Sequence, residues 1–254
     1  MKRKSLIAAN WKMNKGVKES LDFFRNFEGK NIDYTKVDVL IAPPFVSLYP
    51  IAEEIKSSKL SIKLSAQNIY MQDEGAYTGE ISAEMVKNLG ATYTILGHSE
   101  RREYFNETDE MVNLKIKKAL NTQLNIILCI GEREYERDAG VAYEVVLAQL
   151  GKSLKGVTVD QIEKITIAYE PVWAIGTGKT ASSNDAETMH DTIRKKIASL
   201  YNERTAESIR ILYGGSVKPE NIKELMSKED VDGALVGGAS LDVEKFYKIT
   251  TFYV

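Results

Sequence analysis

Ile165-Thr166-Ile167-Ala168-Tyr169-Glu170-Pro171-Val172-Trp173-Ala174-Ile175-Gly176-Thr177-Gly178-Lys179-Thr180 is the stretch on which the reading of this chain turns. From Ile165 to Tyr169 it is mostly apolar and β-branched, the composition of a strand buried on both faces of a parallel sheet. Glu170 stands where that strand must end, because Pro171 has no N–H to extend the ladder. A short apolar segment follows, closed by Gly176 and Gly178, which tolerate large backbone changes. A carboxylate at a strand's C-terminal end, followed by a stiff segment with flexible ends, is the pattern of a general base beneath a moving lid. A solvated glutamate before an ordinary loop fits the same residues. The choice between the two depends on what surrounds the stretch.

Working outward, strand-like runs recur at Leu6–Asn10, Val37–Ala42, Leu60–Ser65, Thr92–Leu96, Leu124–Ile130, Ile209–Tyr213 and Gly233–Val236. Helical periodicity fills the gaps at Val17–Phe27, Leu48–Ser57, Ser82–Leu89, Glu107–Asn121, Val141–Leu154, Asn184–Asn202, Pro219–Met226 and Val243–Ile249. With Ile165–Tyr169 this makes a strict β/α alternation, which predicts a parallel sheet with helical crossovers. No composition shift or low-complexity linker divides the chain of 254 residues. Eight such units in roughly 250 residues predict one closed (β/α)₈ barrel domain over 1–254. An open doubly wound sheet would place a glycine-rich turn after the first strand. Here that turn reads Asn10-Trp11-Lys12-Met13-Asn14, with no glycine before Gly16.

In a barrel, functional residues cluster just past the strands' C-terminal ends. Polar residues of unusual kinds do sit there: Asn10 and Lys12 after the first strand, His98 after the fourth, Glu170 after the sixth. Gly214-Gly215 and Gly237-Gly238 follow the last two strands, where close backbone approach to a phosphate needs glycine. Tyr169, Val172 and Trp173 beside Glu170 are expected to desolvate its carboxylate and raise its proton affinity. If Ser99 opens a helical turn, its amides disfavour an imidazolium, and His98 would act as a neutral donor to a substrate oxygen. Lys12 has the charge to neutralise a phosphate or a developing oxyanion. Each of these side chains, taken alone, fits an ordinary solvated loop residue as well. Cys129 ends an apolar strand and reads as a buried structural thiol. Gly178-Lys179-Thr180 imitates the end of a P-loop, but Trp173 stands where that pattern requires its first glycine.

Composition narrows the classes. The chain is 43% hydrophobic and 28% charged, with a net charge of −2, which makes no electrostatic case for nucleic acid or a membrane surface. One cysteine permits no internal disulfide and suits a reducing cytoplasm. Asn10 and Lys12 interrupt the N-terminal apolar run too early for a secretion signal. The two histidines, His98 and His190, lie far apart in sequence, and no spacing of metal ligands is visible.

Several segments together resemble the triosephosphate isomerase family. They are Ala9-Asn10-Trp11-Lys12-Met13-Asn14, Ile95 to Arg102, Cys129-Ile130-Gly131-Glu132, Ala168 to Lys179 and Tyr213-Gly214-Gly215-Ser216-Val217, in the family's order and spacing from Leu6 to about Tyr247. The resemblance implies a TIM barrel that interconverts dihydroxyacetone phosphate and glyceraldehyde 3-phosphate without cofactor or metal. It implies Glu170 as the base, His98 as the electrophile, and Lys12 and Asn10 as stabilisers of negative charge, with Glu100 ordering the lysine. Backbone donors near Gly176, Ser216, Gly237 and Gly238 would hold the phosphate under a lid spanning Pro171 to Lys179. The loop Gln67–Gly79 resembles the family's dimer loop, with Thr78 at its tip against the Asn10–Lys12 region of a second copy. Two competing readings are a Schiff-base aldolase and a noncatalytic sugar-phosphate binder. The first needs a lysine where Glu170 stands, and the second needs inert residues at Glu170 or His98.

Overall fold

A computed structural model describes residues 3–175 and 181–254. Its strands are β1 Ser5–Asn10, β2 Val37–Ala42, β3 Ile62–Ala66, β4 Tyr93–Leu96, β5 Asn125–Ile130, β6 Ile165–Tyr169, β7 Ile211–Tyr213 and β8 Gly233–Val236. All pair in parallel with their sequence neighbours, and β1 also pairs with β8, so the sheet closes into the (β/α)₈ TIM barrel that the alternation predicts. The first helices are α1 Val17–Glu28, α2 Leu48–Ser57, α3 Ala83–Asn88, α4 Ser99–Tyr104, α5 Asp109–Asn121 and α6 Glu134–Asp138. They are followed by α7 Ala142–Ser153, α8 Val159–Ile162, α9 Ser183–Leu200, α10 Glu203–Ser208, α11 Ile222–Leu225 and α12 Val243–Thr250.

Where the elements differ from the sequence reading, local hydrogen bonds explain it. The long helix expected over Asn184–Asn202 ends at Leu200, and Asn202 instead caps α10, its side chain accepting from Thr205 N–H at 2.8 Å. β7 starts late because the Ile209 amide still donates to Thr205 O as the last bond of that short helix. α5 starts at Asp109 because Thr108 caps it, leaving Glu107 outside the helix in a buried ion pair with Lys115. Runs as short as α4, α6 and α8 carry too few periods to register in a hydrophobic pattern.

The strand period of two sorts each strand's residues between two cores. Ile7, Ala9, Val39 and Ile41 join the layer between sheet and helices, while Leu6, Ala8, Leu40, Ala42, Ala168, Leu212 and Leu235 fill the barrel interior. Continuing that inward phase by two residues past the interior layer brings Asn10, Glu170, Gly214 and Gly237 to the C-terminal rim. The opposite end is closed by charge. Asp38 pairs with Lys4, Lys63 and Arg210 at 2.8, 2.8 and 2.9 Å. Among the described residues, no helix is long and apolar enough to cross a membrane.

Candidate active site

Glu170 follows β6 and is 2% exposed. Its backbone stays registered to its neighbours: its own N–H donates to Ile130 O at 2.8 Å, and Gly214 N–H donates to Tyr169 O at 2.7 Å. Gly214 must lack a side chain, since a Cβ there would meet Glu170 Cγ at 2.9 Å. The carboxylate is fully engaged. Oε1 lies 3.0 Å from His98 Nε2, and Oε2 accepts from Ser99 N–H at 2.9 Å.

His98 occupies the N-cap of α4, the helical turn that the sequence made conditional on Ser99. Its Nδ1 accepts from Glu100 N–H at 3.2 Å, so Nδ1 carries no proton and the ring meets Glu170 through Nε2–H. This is the neutral imidazole tautomer, fixed by a helix N-terminus. The Glu170 contact itself favours the cation. Burial acts most strongly to lower the ring's proton affinity, but the charge and hydrogen bond of Glu170, with Glu100, carry it above the ordinary imidazole value. The same contact corrects the expectation for Glu170. Burial does push its pKa up, yet His98, the Ser99 amide and Lys12 together hold it below the ordinary carboxylate value.

Lys12 leaves the barrel in a left-handed backbone conformation, φ 52°, which costs a non-glycine residue about 1 kcal/mol. The surroundings enforce it. Its N–H donates to Asn10 Oδ1 at 3.0 Å, and its carbonyl accepts from Gln67 Nε2 at 2.9 Å. Gln67 also holds Ala42 O, tying the first turn to the second strand. The neighbouring Trp11 is buried and anchored by Nε1–H to Ser240 O at 3.1 Å. The lysine Nζ meets Glu100 Oε1 at 2.6 Å. One acidic residue therefore contacts both Lys12 and the cap of His98.

Asn10, Lys12, His98 and Glu170 line a cavity of about 570 Å³ together with Ser216, Gly237 and Gly238. These seven residues, far apart in the chain, share one opening at the C-terminal rim. Gly176 lies outside the described residues, as does most of the glycine-bearing end of the segment after Pro171.

A model of the triosephosphate isomerase family matches residues 5–253. A triosephosphate isomerase from Carboxydothermus hydrogenoformans is 52% identical over 247 residues, covering 97% of this chain and 98% of the relative. One from Alkaliphilus metalliredigens is also 52% identical, over 250 residues, covering 98% of this chain and all of the relative. One from Lactobacillus acidophilus is 49% identical over 252 residues, 99% of each chain. The chain belongs to the triosephosphate isomerase family.

Within this triosephosphate isomerase fold the structure adds residues that single-residue reasoning passed over. Lys218 and Lys245 border the cavity, yet nothing in the sequence separates them from other surface lysines. Glu132 is 1% exposed and accepts from Trp173 Nε1–H at 2.7 Å and from Tyr169 O–H at 3.0 Å. Burial pushes its pKa up against those bonds. Arg137 covers the Trp173 ring at 3.7 Å. The segment just after Glu170 is thus fastened to the β5 loop. The only sequence signal was the motif Cys129-Ile130-Gly131-Glu132, which does not say what Glu132 touches. Among the described residues, no three His, Cys, Asp or Glu side chains gather as a metal site.

Proposed function

We propose that this chain interconverts dihydroxyacetone phosphate and D-glyceraldehyde 3-phosphate in the cytoplasm, in glycolysis and gluconeogenesis, using its own side chains and no metal or cofactor. The observation that carries the reading is the 3.0 Å approach of Glu170 to His98 on a cavity that Lys12 shares. Glu170 takes the proton from the hydroxymethyl carbon beside the carbonyl. The C–H electron pair becomes the carbon–carbon double bond of an enediolate, and charge moves to the carbonyl oxygen. His98 Nε2–H donates to that oxygen, while Lys12 and Asn10 stabilise the charge. A proton passes from the neighbouring hydroxyl oxygen to the former carbonyl oxygen by way of His98 Nε2, and Glu170 returns its proton to the former carbonyl carbon, giving the aldehyde. The Glu170–His98 contact must first open so that both side chains can turn to the substrate. Amides near Gly176, Ser216, Gly237 and Gly238 hold the phosphate, and closure of the segment 171–179 excludes water from the enediolate.

Assembly belongs to the same proposal. Met13 is 96% exposed, Phe105 62% and Phe45 42%. They accompany a cavity of about 420 Å³ that also touches Lys12, His98 and Glu100. The loop 67–79 of a second copy, braced by the Tyr70–Tyr77 ring contact at 4.8 Å, fits such a surface. A homodimer follows, with Thr78 supporting the other copy's Lys12 region. On a sizing column the pure protein is expected at twice the chain mass; a monomer with full activity would overturn this.

The activity is tested by a coupled assay with glyceraldehyde 3-phosphate. Glu170→Gln is expected to lose at least about 10²- to 10⁴-fold in kcat while still binding phosphoglycolate. Wild type that binds phosphoglycolate without turnover would instead make the chain a sugar-phosphate binder.

A further inference from the structure

Gln149 projects from α7 onto the loop after β5. Its Oε1 accepts from Gly131 N–H at 2.9 Å, and its Nε2 donates to Gly131 C=O at 3.1 Å. One side-chain amide thus satisfies both backbone polar groups of a residue that lies beyond its strand's end.

That residue lies directly against Glu170. A Cβ on Gly131 would sit 1.7 Å from Glu170 O. On either side of it, Glu170 N–H donates to Ile130 O at 2.8 Å and Val172 N–H donates to Glu132 O at 3.1 Å. The backbone of Glu170 therefore rests on the backbone of Gly131, and Gly131 is clamped by Gln149. We propose that Gln149 is a positioning residue for the carboxylate of Glu170, acting through Gly131. This rests on the reading of Glu170 as the base.

The clamp differs from ordinary packing. Gln149 is only half-buried, and with Gly131 it borders a polar cavity of about 290 Å³ shared with Arg102, Arg133 and Glu136. A methionine there keeps the length of the side chain and removes both hydrogen bonds. A small displacement of a general base costs far more rate than stability, because proton transfer depends steeply on geometry.

The test compares Gln149→Met and Gln149→Glu with wild type, counting sites by phosphoglycolate titration so that unfolded chains do not enter. In Gln149→Met, kcat per site is expected to fall on the order of ten- to a hundredfold. Its KM should stay within roughly twofold of wild type. Affinity for phosphoglycolate, whose carboxylate on that reading would lie beside Glu170, should weaken while affinity for inorganic phosphate holds. Gln149→Glu still accepts from Gly131 N–H but cannot donate to its carbonyl, so its kcat should lie between the two. A lowered melting temperature with unchanged kcat per site would overturn the proposal, as would equal weakening of both anions. Glu170→Gln, run alongside, separates the two readings. If it stays active, the base assignment itself fails. If it is inactive and Gln149→Met is not, only the role of Gln149 falls.

Discussion

Lys12 shows how a single residue can be legible in kind and illegible in state. A lysine after the first strand of a barrel is visible in the sequence, and the family resemblance implies Glu100 beside it, where the structure has their contact at 2.6 Å; the lysine's left-handed backbone is not visible. A positive φ in a lysine is held only by surroundings that over-determine it, here Asn10 and Gln67. Lys12→Met is expected to raise KM and lower kcat together, because on the proposed mechanism the charge serves both bound substrate and enediolate. The loss in kcat/KM should be about 10²-fold or more. Unchanged kcat in steady-state kinetics would remove Lys12 from the chemistry. Glu170 teaches the same lesson with opposite sign. Burial alone predicts a raised pKa, and the contacts with His98 and Ser99, distant in sequence, reverse it.

At the scale of elements, long periodic segments were legible and short ones were not. The strands follow their apolar runs because both of their faces are buried, and α1, α2, α5, α7 and α12 follow the helical pattern because each turns one stripe to the sheet. α4 is the consequential omission as an assigned element. Its six residues are too few for periodicity, yet its N-cap is His98 and its first amide holds Glu170. The split between α9 and α10 offers a direct check on capping. Asn202→Ala removes the acceptor for Thr205 N–H and is expected to cost about 1 kcal/mol. In a protein of this size that lowers the melting temperature by about 2–4 °C, measurable by calorimetry. No change would mean that Asn202 contributes nothing beyond its backbone.

For the whole molecule, the charge cluster at the base of the barrel contributes to acid stability. Burial pushes Asp38 up, but Lys4, Lys63 and Arg210 outweigh it and hold its pKa down at about 2, against an ordinary 3.8. A depressed carboxylate contributes stability that is complete above its unfolded value and lost as pH falls toward its folded one. Chemical denaturation followed from pH about 5 to about 2 should therefore show wild type losing stability in the lower part of that range, between the two Asp38 values. Asp38→Asn should be less stable near neutral pH, where three cations then face one another, and its curve should be flatter in that window. Parallel curves for the two proteins would show that Asp38 does not contribute to acid stability.

By itself, the sequence determined the alternation of strand and helix, the closed barrel that this implies, and which rim the reactive side chains occupy. Each of these follows from periodicity and from residues next to each other in the chain. Only the tertiary structure decided that Glu170 rests on His98 and Ser99, that Gln67 holds the Lys12 carbonyl, and that Gln149 clamps Gly131 beneath Glu170. Hydrogen bonds and charge interactions act over a few ångströms of space, whatever the separation along the chain. The protonation and placement of these groups were therefore fixed only when the barrel closed and brought its loops to one rim.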